Sequence, residues 1–276
     1  MKRIISKSFL YLILSFLTVV FVFPIILVLI NSFKSRFVIQ SSPFSLPDAS
    51  TFAGFSNYIR GIQATDFLMS LGRSLFITVF SVALIVICCS MTAWFIERIK
   101  GALSNFLYYI FVFSMVVPFQ MVMFTMSKVA NVLGLDNPVG IIFIYLGFGA
   151  GLSIFMFCGA IKGLPRGVEE AAWVDGCSVI KMFFSIVLPL LKPTLVTVAI
   201  LNAMWIWNDY LLPYLVMGSD YRTVPVAVQY LKGGYGSVDM GALMAVLIIA
   251  VIPVTLFYLF TQKFIIEGVA AGAVKG

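Results

Sequence analysis

Few residues of this chain could do chemistry, and the densest group of them is the segment EEAAWVDG at 169–176. It holds Glu169, Glu170 and Asp175, three of the eleven acidic residues of the chain. Histidine, the commonest general base and metal ligand near neutral pH, is absent from the sequence. The four cysteines lack metal-ligand or redox spacing, and we assign them no function and predict no metal site. Redox or hydrolytic chemistry is therefore a poor explanation for this segment.

The composition indicates a membrane protein. Hydrophobic residues make up 62% of the chain and charged residues 11%, and a water-soluble domain cannot bury so much apolar surface. The net charge is +7, but the Lys and Arg residues are scattered without a basic stripe, so no nucleic-acid partner is predicted. The lipid bilayer is the expected environment.

Several apolar stretches are long enough to cross a hydrocarbon core of about 30 Å, which needs roughly 20 helical residues. The predicted spans are 9–30, 74–96, 105–126, 139–161, 193–216 and 240–262. The fifth is interrupted near one end by Asp209, and Pro118 is expected to kink the third. The pattern predicts an all-α integral membrane protein with six transmembrane helices in one domain, residues 1–276.

An even number of spans places both termini on the same side of the membrane. The basic N-terminus, with Lys2, Arg3 and Lys7, indicates that this side is the cytoplasm. The segment 162–192, between the fourth and fifth spans, is then the longest inner loop.

Proline and glycine predict a short helix inside this loop. Pro165 suits the first turn of a helix, and Gly176 suits the left-handed residue that ends one. Glu169 and Glu170 fall in the first half, where the helix dipole favours a carboxylate. Asp175 lies at the disfavoured end, so it either caps a second helix that begins near residue 177 or 178, or shapes the turn with Gly176.

The spacing of this helix also predicts a surface. Glu170 shares a face with Trp173 and Val174 at i+3 and i+4, while Ala171 and Ala172 leave room for the backbone of another protein. The alternative is a solvated connection whose acids balance the nearby basic residues.

Longer motifs decide between these interpretations. EAAWVDG followed by IVLP, with Ile186 ten residues after Gly176, resembles the E-A-A…G…I-x-L-P loop of binding-protein-dependent ABC importer permeases. VPFQMVMF, WNDYLLP, TVPVAVQ and EGVAAGAVKG are similar to the sugar-importer branch, in particular its maltose-G-like permeases. LGRSLF and TAWFIERIK depart from the family pattern.

The resemblance implies a bacterial cytoplasmic-membrane permease for a sugar or oligosaccharide that works by alternating access. Its partners would be a homologous second permease, a dimeric cytoplasmic ATPase and an extracytoplasmic sugar-binding protein. The chain itself would bind no cofactor, because ATP and Mg²⁺ would be used by the ATPase, and it contains no P-loop.

In that family the inner loop forms a coupling helix that docks on the ATPase. By resemblance Glu170 would pair with a basic group there, and Gly176 would supply the turn. The C-terminal tail AAGAVKG would reach towards the ATPase dimer or simply fray. The implied coupling residues are Glu169, Glu170, Ala171, Ala172, Trp173, Asp175 and Gly176.

A substrate pathway is expected where polar groups enter the spans. The candidates are Gln120, Asn202, Trp205, Asn208 and Asp209. A sugar is bound by aromatic faces and hydrogen-bonding groups, but Trp and Tyr also anchor helices at the membrane surface, and both interpretations stay open.

Three other function classes compete with a sugar permease. An ABC permease for a non-sugar solute would share the inner loop. A stand-alone secondary transporter would need buried ionisable groups, and the spans hold almost none besides Asp209. An intramembrane enzyme would need a nucleophile with a base, or a metal pair.

Overall fold

The computed structural model describes the backbone of residues 2–231 and 239–273, and within these the side chains of residue 7, 9–231 and 239–264. This part of the chain is helical, and its one isolated antiparallel bridge joins Lys34 to Phe52. The helices in chain order are α1 (Lys2–Ser32), α2 (Arg36–Ile39), α3 (Ser56–Thr65), α4 (Phe67–Arg98), α5 (Ala102–Ser114), α6 (Phe119–Val132), α7 (Gly140–Lys162), α8 (Arg166–Val174), α9 (Val179–Met182), α10 (Leu188–Leu190), α11 (Lys192–Asn208), α12 (Leu211–Met217), α13 (Val224–Tyr230) and α14 (Met240–Ala273). A π-helical segment, Phe183–Val187, connects α9 to α10.

Four helical segments in the described residues are long and apolar enough to cross a bilayer: Phe9–Ser32, Phe67–Arg98, Gly140–Lys162 and Met240–Phe264. Two further pairs qualify when each is counted as one bent span, which raises the number to six. The pairs are Ala102–Ser114 with Phe119–Val132, bent by 107°, and Val179–Leu190 with Lys192–Asn208, bent by 81°.

The bend between α5 and α6 and the end of α11 have local causes. Pro118 adopts an extended backbone (ψ 135°) just before α6, and a proline disfavours helical geometry in the residue before it. Asp209 is also extended (ψ 122°), so α11 stops at Asn208 and α12 begins three residues later, at Leu211. The predicted span 193–216 therefore covers two helices, and the predicted span 105–126 contains the break at Pro118.

The described residues form two compact units. One comprises residues up to Leu71 together with those between Ala227 and Thr255. Within it, buried Asn57 donates from Nδ2 to the carbonyls of Ser32 (2.7 Å) and Lys34 (2.8 Å). Arg60 of α3 forms an ion pair of 3.0 Å with Asp239 just before α14.

The other unit comprises Gly72–Val226 and the described residues from Leu256 onward. Its core is built around α7, where Ile141, Tyr145 and Phe157 are fully buried. Gly151 lets α5 approach closely, because a Cβ there would lie 2.8 Å from the carbonyl oxygen of Phe111. This unit contains every predicted coupling and pathway residue.

Candidate functional site

Helix α8 and its C-terminal turn occupy the segment in which the sequence predicts a short helix. Pro165, extended at ψ 124°, immediately precedes the helix. At the other end Gly176 has φ +75°, its N–H donates to Trp173 (3.0 Å), and the N–H of Cys177 donates to Ala172 (3.0 Å). These two bonds and the left-handed glycine form a Schellman motif, which satisfies carbonyls at the helix end.

A second helix follows this turn directly. Ser178 Oγ accepts a hydrogen bond of 3.4 Å from the backbone N–H of Lys181, so Ser178 caps α9. The alternative in which Asp175 caps the second helix is therefore wrong, because a serine placed closer to α9 does so. Asp175 is instead the C-cap residue of α8, between Val174 and the glycine turn.

The outer face of α8 carries most of the predicted coupling residues. Glu170 and Ala171 are exposed, as are Trp173 (64%) and Val174 (85%). A large aromatic and a β-branched side chain exposed side by side on a short helix are typical of a protein contact surface.

The inner face of the same helix is occupied by Glu169 and Ala172, three residues apart. Ala172 is only 7% exposed, so of the two alanines Ala171 alone lies on the surface.

Glu169 makes a forked ion pair with Arg98 at the end of α4. Arg98 donates from Nη2 (2.6 Å) and Nε (2.9 Å) to Glu169 Oε1, and Nε also lies 3.1 Å from Oε2. Trp94, one turn earlier on α4, donates from Nε1 to Oε2 (2.9 Å). Burial alone would raise the pKa of Glu169, but these hydrogen bonds and the charges of Arg98 and Arg166 together hold that pKa below its ordinary value.

The guanidinium of Arg98 reaches two further groups. Nη1 donates to the carbonyl oxygen of Ile161 (3.3 Å) and Nη2 to that of Leu164 (3.5 Å). Ile161 lies in the last turn of α7, where the helix dipole favours a cation, and Leu164 lies in the connection that follows.

A second ion-pair group adjoins the first. The side chain of Glu97 is only 6% exposed and lies 3.2 Å from Lys100 Nζ and 3.6 Å from Lys162 Nζ. Lys162 is the last residue of α7, so neighbouring residues of α4 contact both α7 and α8.

Two of the predicted pathway residues lie together. Asn202 and Trp205 of α11 line a cavity of about 290 Å³, whose other walls are Met115, Phe148, Gly149, Leu152 and Leu201. Asn202 is buried (5%) and donates from Nδ2 to Ser153 Oγ, 3.1 Å away.

Asp209 connects to this cavity through an aromatic pair. Tyr145 donates its hydroxyl to Asp209 Oδ2 (3.1 Å) and packs edge-on against Trp205, with ring centroids 5.4 Å apart. Asp209 Oδ1 also accepts the backbone N–H of Leu211 (2.9 Å), which gives it a structural role at the start of α12.

The other two pathway candidates lie elsewhere. Asn208 is exposed and donates to the carbonyl of Met204 in its own helix (2.7 Å). Gln120 is exposed on α6. A larger cavity of about 630 Å³, at the end of α7 beside Lys162 and Gly163, is lined by different residues.

Sequence reasoning missed Trp94, Glu97 and Arg98 as site residues. They lie in TAWFIERIK, which the sequence marked only as a departure from a family pattern. One sequence signal could have identified them: Trp94 and Arg98 are four residues apart at the end of a predicted span. Residues with this spacing lie on the same face of a helix. Among the described residues no group of Cys, Asp and Glu is placed to hold a metal ion, and the predicted contact of the C-terminal tail involves side chains outside the described residues.

Comparison with known proteins supports the family that the sequence motifs indicate. The profile of the family described as "Binding-protein-dependent transport system inner membrane component" matches residues 89–270. The probable starch degradation products transport system permease protein AmyC of Thermoanaerobacterium thermosulfurigenes is 38% identical, over 94% of this chain and 93% of its own. The multiple sugar-binding transport system permease protein MsmG of Streptococcus mutans is 32% identical, over 96% of each chain.

Solved structures show the same fold. A chain of a bacterial ABC transporter involved in the import of the acidic polysaccharide alginate matches with a TM-score of 0.78 and 21% identity, over 94% of this chain and 96% of that one. The profile covers more than half of this sequence, and the relatives extend over nearly all of it. The chain therefore belongs to the family of inner membrane components of binding-protein-dependent transport systems.

Proposed function

We propose that this chain is a permease subunit of an ATP-driven ABC importer that moves a sugar or oligosaccharide across the bacterial cytoplasmic membrane. The observation that carries the proposal is the exposed outer face of α8, found in a chain whose relatives include named sugar permeases. The helix ends in a Schellman turn, which holds that face in a defined orientation.

The energy input is proposed to enter through α8. Glu170, Trp173 and Val174 form a surface with one charge and two large apolar groups, which fits a cleft that has a basic residue at its edge. The cleft belongs to a cytoplasmic ATPase dimer, which uses ATP and Mg²⁺. Closure of that dimer displaces α8, and the spans rock to open the pathway to the other side.

The pathway is proposed to pass Asn202 and Trp205. Their cavity offers an indole face and an amide, the two kinds of group that a sugar ring contacts. A homologous second permease completes the pathway, and an extracytoplasmic binding protein delivers the cargo. Both termini of this chain lie in the cytoplasm.

The experiment is reconstitution of the complete transporter in proteoliposomes. We expect uptake of an oligosaccharide that requires ATP inside and the loaded binding protein outside. Uptake of only a non-sugar solute would overturn the sugar assignment, and transport driven by an ion gradient without the ATPase would overturn the ABC assignment.

Two substitutions test the coupling surface in the same system. Glu170→Lys and Gly176→Leu should leave the permease inserted and abolish the ATP hydrolysis that cargo-loaded binding protein stimulates. Asp220→Lys reverses an exposed acid outside α8 and is the matched control. Normal stimulated hydrolysis in either test variant would refute the coupling role.

A further inference from the structure

We propose that Arg98 and Trp94 lock α8 to the end of α4, so that α8 moves as a rigid extension of α4 and α7 and not as a hinged loop. The inference rests on the proposed function, because it concerns how displacement of α8 reaches the membrane helices. Arg98, Trp94 and Glu169 are positioning residues in this scheme, whereas Glu170 contacts the partner.

The connection between α7 and α8 would be a hinge without this lock. Only residues 163–165 separate the two helices, and the first of them, Gly163, has the greatest conformational freedom of any residue type. Arg98 restrains this connection because it binds residues before, within and after it. It donates to the carbonyls of Ile161 and Leu164 and, with the same planar group, to the carboxylate of Glu169.

Arginine suits this position because its donors are fixed in one plane and point in several directions. The side chains of Arg98 and Glu169 are 15% and 12% exposed, so water competes little for their hydrogen bonds. A lysine at position 98 would keep the charge but contact fewer of these acceptors at once.

Trp94 provides a second attachment, one turn away on the same helix. Its Nε1 donates to Glu169, and its ring lies 5.6 Å, centroid to centroid, from that of Phe183. Phe183 begins the π-helical segment that follows α9. Both arms of the helix–turn–helix are therefore attached to α4, the first through Glu169 and the second through Phe183.

Glu97 extends the lock to α7. Its buried carboxylate lies within 3.6 Å of Lys162 Nζ at the last residue of that helix. Two adjacent residues of α4 thus hold the end of α7 and the start of α8. A displacement of α8 is therefore transmitted to α4 without an intervening hinge.

A purely structural salt bridge would produce a different result from a mechanical one. Loss of a structural bridge lowers the melting temperature and the yield of protein but leaves the sugar transported per ATP unchanged in the molecules that remain folded. Loss of a mechanical lock lowers that ratio, while the ATPase still binds through the intact outer face.

The test uses the complete transporter with Arg98→Lys, Glu169→Gln and Trp94→Phe, the last of which retains a ring beside Phe183. Arg73→Lys is the matched control, since Arg73 is an arginine of the same helix that contacts the ring of Tyr221. We expect each test variant to co-purify with the ATPase and to transport about fivefold less sugar per ATP hydrolysed, which is the low end of the range for coupling between two sites. An unchanged ratio in Arg98→Lys and Glu169→Gln overturns the proposal.

A second measurement does not depend on transport. Spin labels at Ile99→Cys and Val174→Cys, both exposed positions, report the distance between the end of α4 and α8 in the isolated permease in nanodiscs, with Cys88 and Cys177 replaced by Ser. The distance distribution should be narrow in the otherwise native chain and broad in Glu169→Gln. Equal widths would refute the lock. Failure of the native complex to bind an ATPase or to import sugar would instead refute the proposed function and leave the distance result unaffected.

Discussion

At the scale of single residues, Gly167 and Gly176 differ in backbone conformation. Gly176 has φ +75° and ends α8, whereas Gly167 lies inside α8 with a helical backbone. A Cβ at either position would meet nothing within 4 Å. Space is therefore available at both, and conformation alone determines how each tolerates substitution.

We predict that Gly176→Ala destabilises the chain by about 1 kcal/mol, because a left-handed residue with a Cβ costs roughly that much. Gly167→Ala should instead stabilise α8 by about 0.5–1 kcal/mol. Thermal unfolding of both variants in detergent measures the difference. Equal effects of the two substitutions would contradict the prediction.

Glu169 predicts a pH dependence with a defined sign. Its pKa in the folded chain lies below the ordinary value of 4.5, so the ionised form stabilises the fold. That stabilisation is complete above about pH 4.5 and is lost as the pH falls through the lower folded pKa. The gap in melting temperature between the native chain and Glu169→Gln should be constant near neutral pH and should narrow below about pH 4.5. A gap that widens on acidification would contradict this assignment.

At the scale of elements, α7 is the helix around which one unit is packed, and two of its glycines, one turn apart, differ in how closely a neighbouring helix approaches them. Gly151 faces α5, where a Cβ would lie 2.7 Å from Ser114 Oγ and 2.8 Å from the carbonyl oxygen of Phe111. Gly147, one turn earlier, is exposed and has nothing within 4 Å of a Cβ. Since backbone atoms cannot move aside as a flexible side chain can, close packing of α5 on α7 requires the glycine at 151.

We predict that Gly151→Ala costs about 1–3 kcal/mol through overpacking, whereas Gly147→Ala is neutral or stabilising. The readout is the melting temperature of the detergent-solubilised chain, together with the yield of monodisperse protein. A destabilising Gly147→Ala of equal size would show that α7 is sensitive to substitution along its whole length, and not specifically at the α5 contact.

At the scale of the whole molecule, the arrangement of loops about the membrane is the property on which coupling depends. If α8 contacts a cytoplasmic ATPase, the loop after α1 must lie on the opposite side, because three crossings separate that loop from α8: α4, the bent α5–α6 pair counted as one span, and α7. Ala49 in that loop and Val174 in α8 are both exposed.

We predict that a membrane-impermeant maleimide labels Ala49→Cys in intact cells and labels Val174→Cys only after the membrane is opened. The background replaces Cys88 and Cys177, the two cysteines that are not fully buried, by Ser. Labelling of Val174→Cys from outside would invert the proposed orientation and exclude docking of α8 on a cytoplasmic partner.

The sequence by itself determined the all-α membrane class, the short helix between Pro165 and Gly176, and the family. Each of these depends on local composition, on the φ preferences of proline and glycine, or on motif spacing, all of which can be read along the chain. The family was confirmed by the match to residues 89–270.

Only the tertiary structure decided which acid of EEAAWVDG faces which way. Glu169 and Glu170 are neighbours with the same charge and the same helix propensity, so no local rule separates them. The distinction comes from Arg98 and Trp94, more than seventy residues earlier in the chain, whose side chains reach Glu169 when α4 packs beside α8. Long-range packing also joined Tyr145 to Asp209 and Asn202 to Ser153, because such contacts depend on how helices cross and not on the sequence within any one helix.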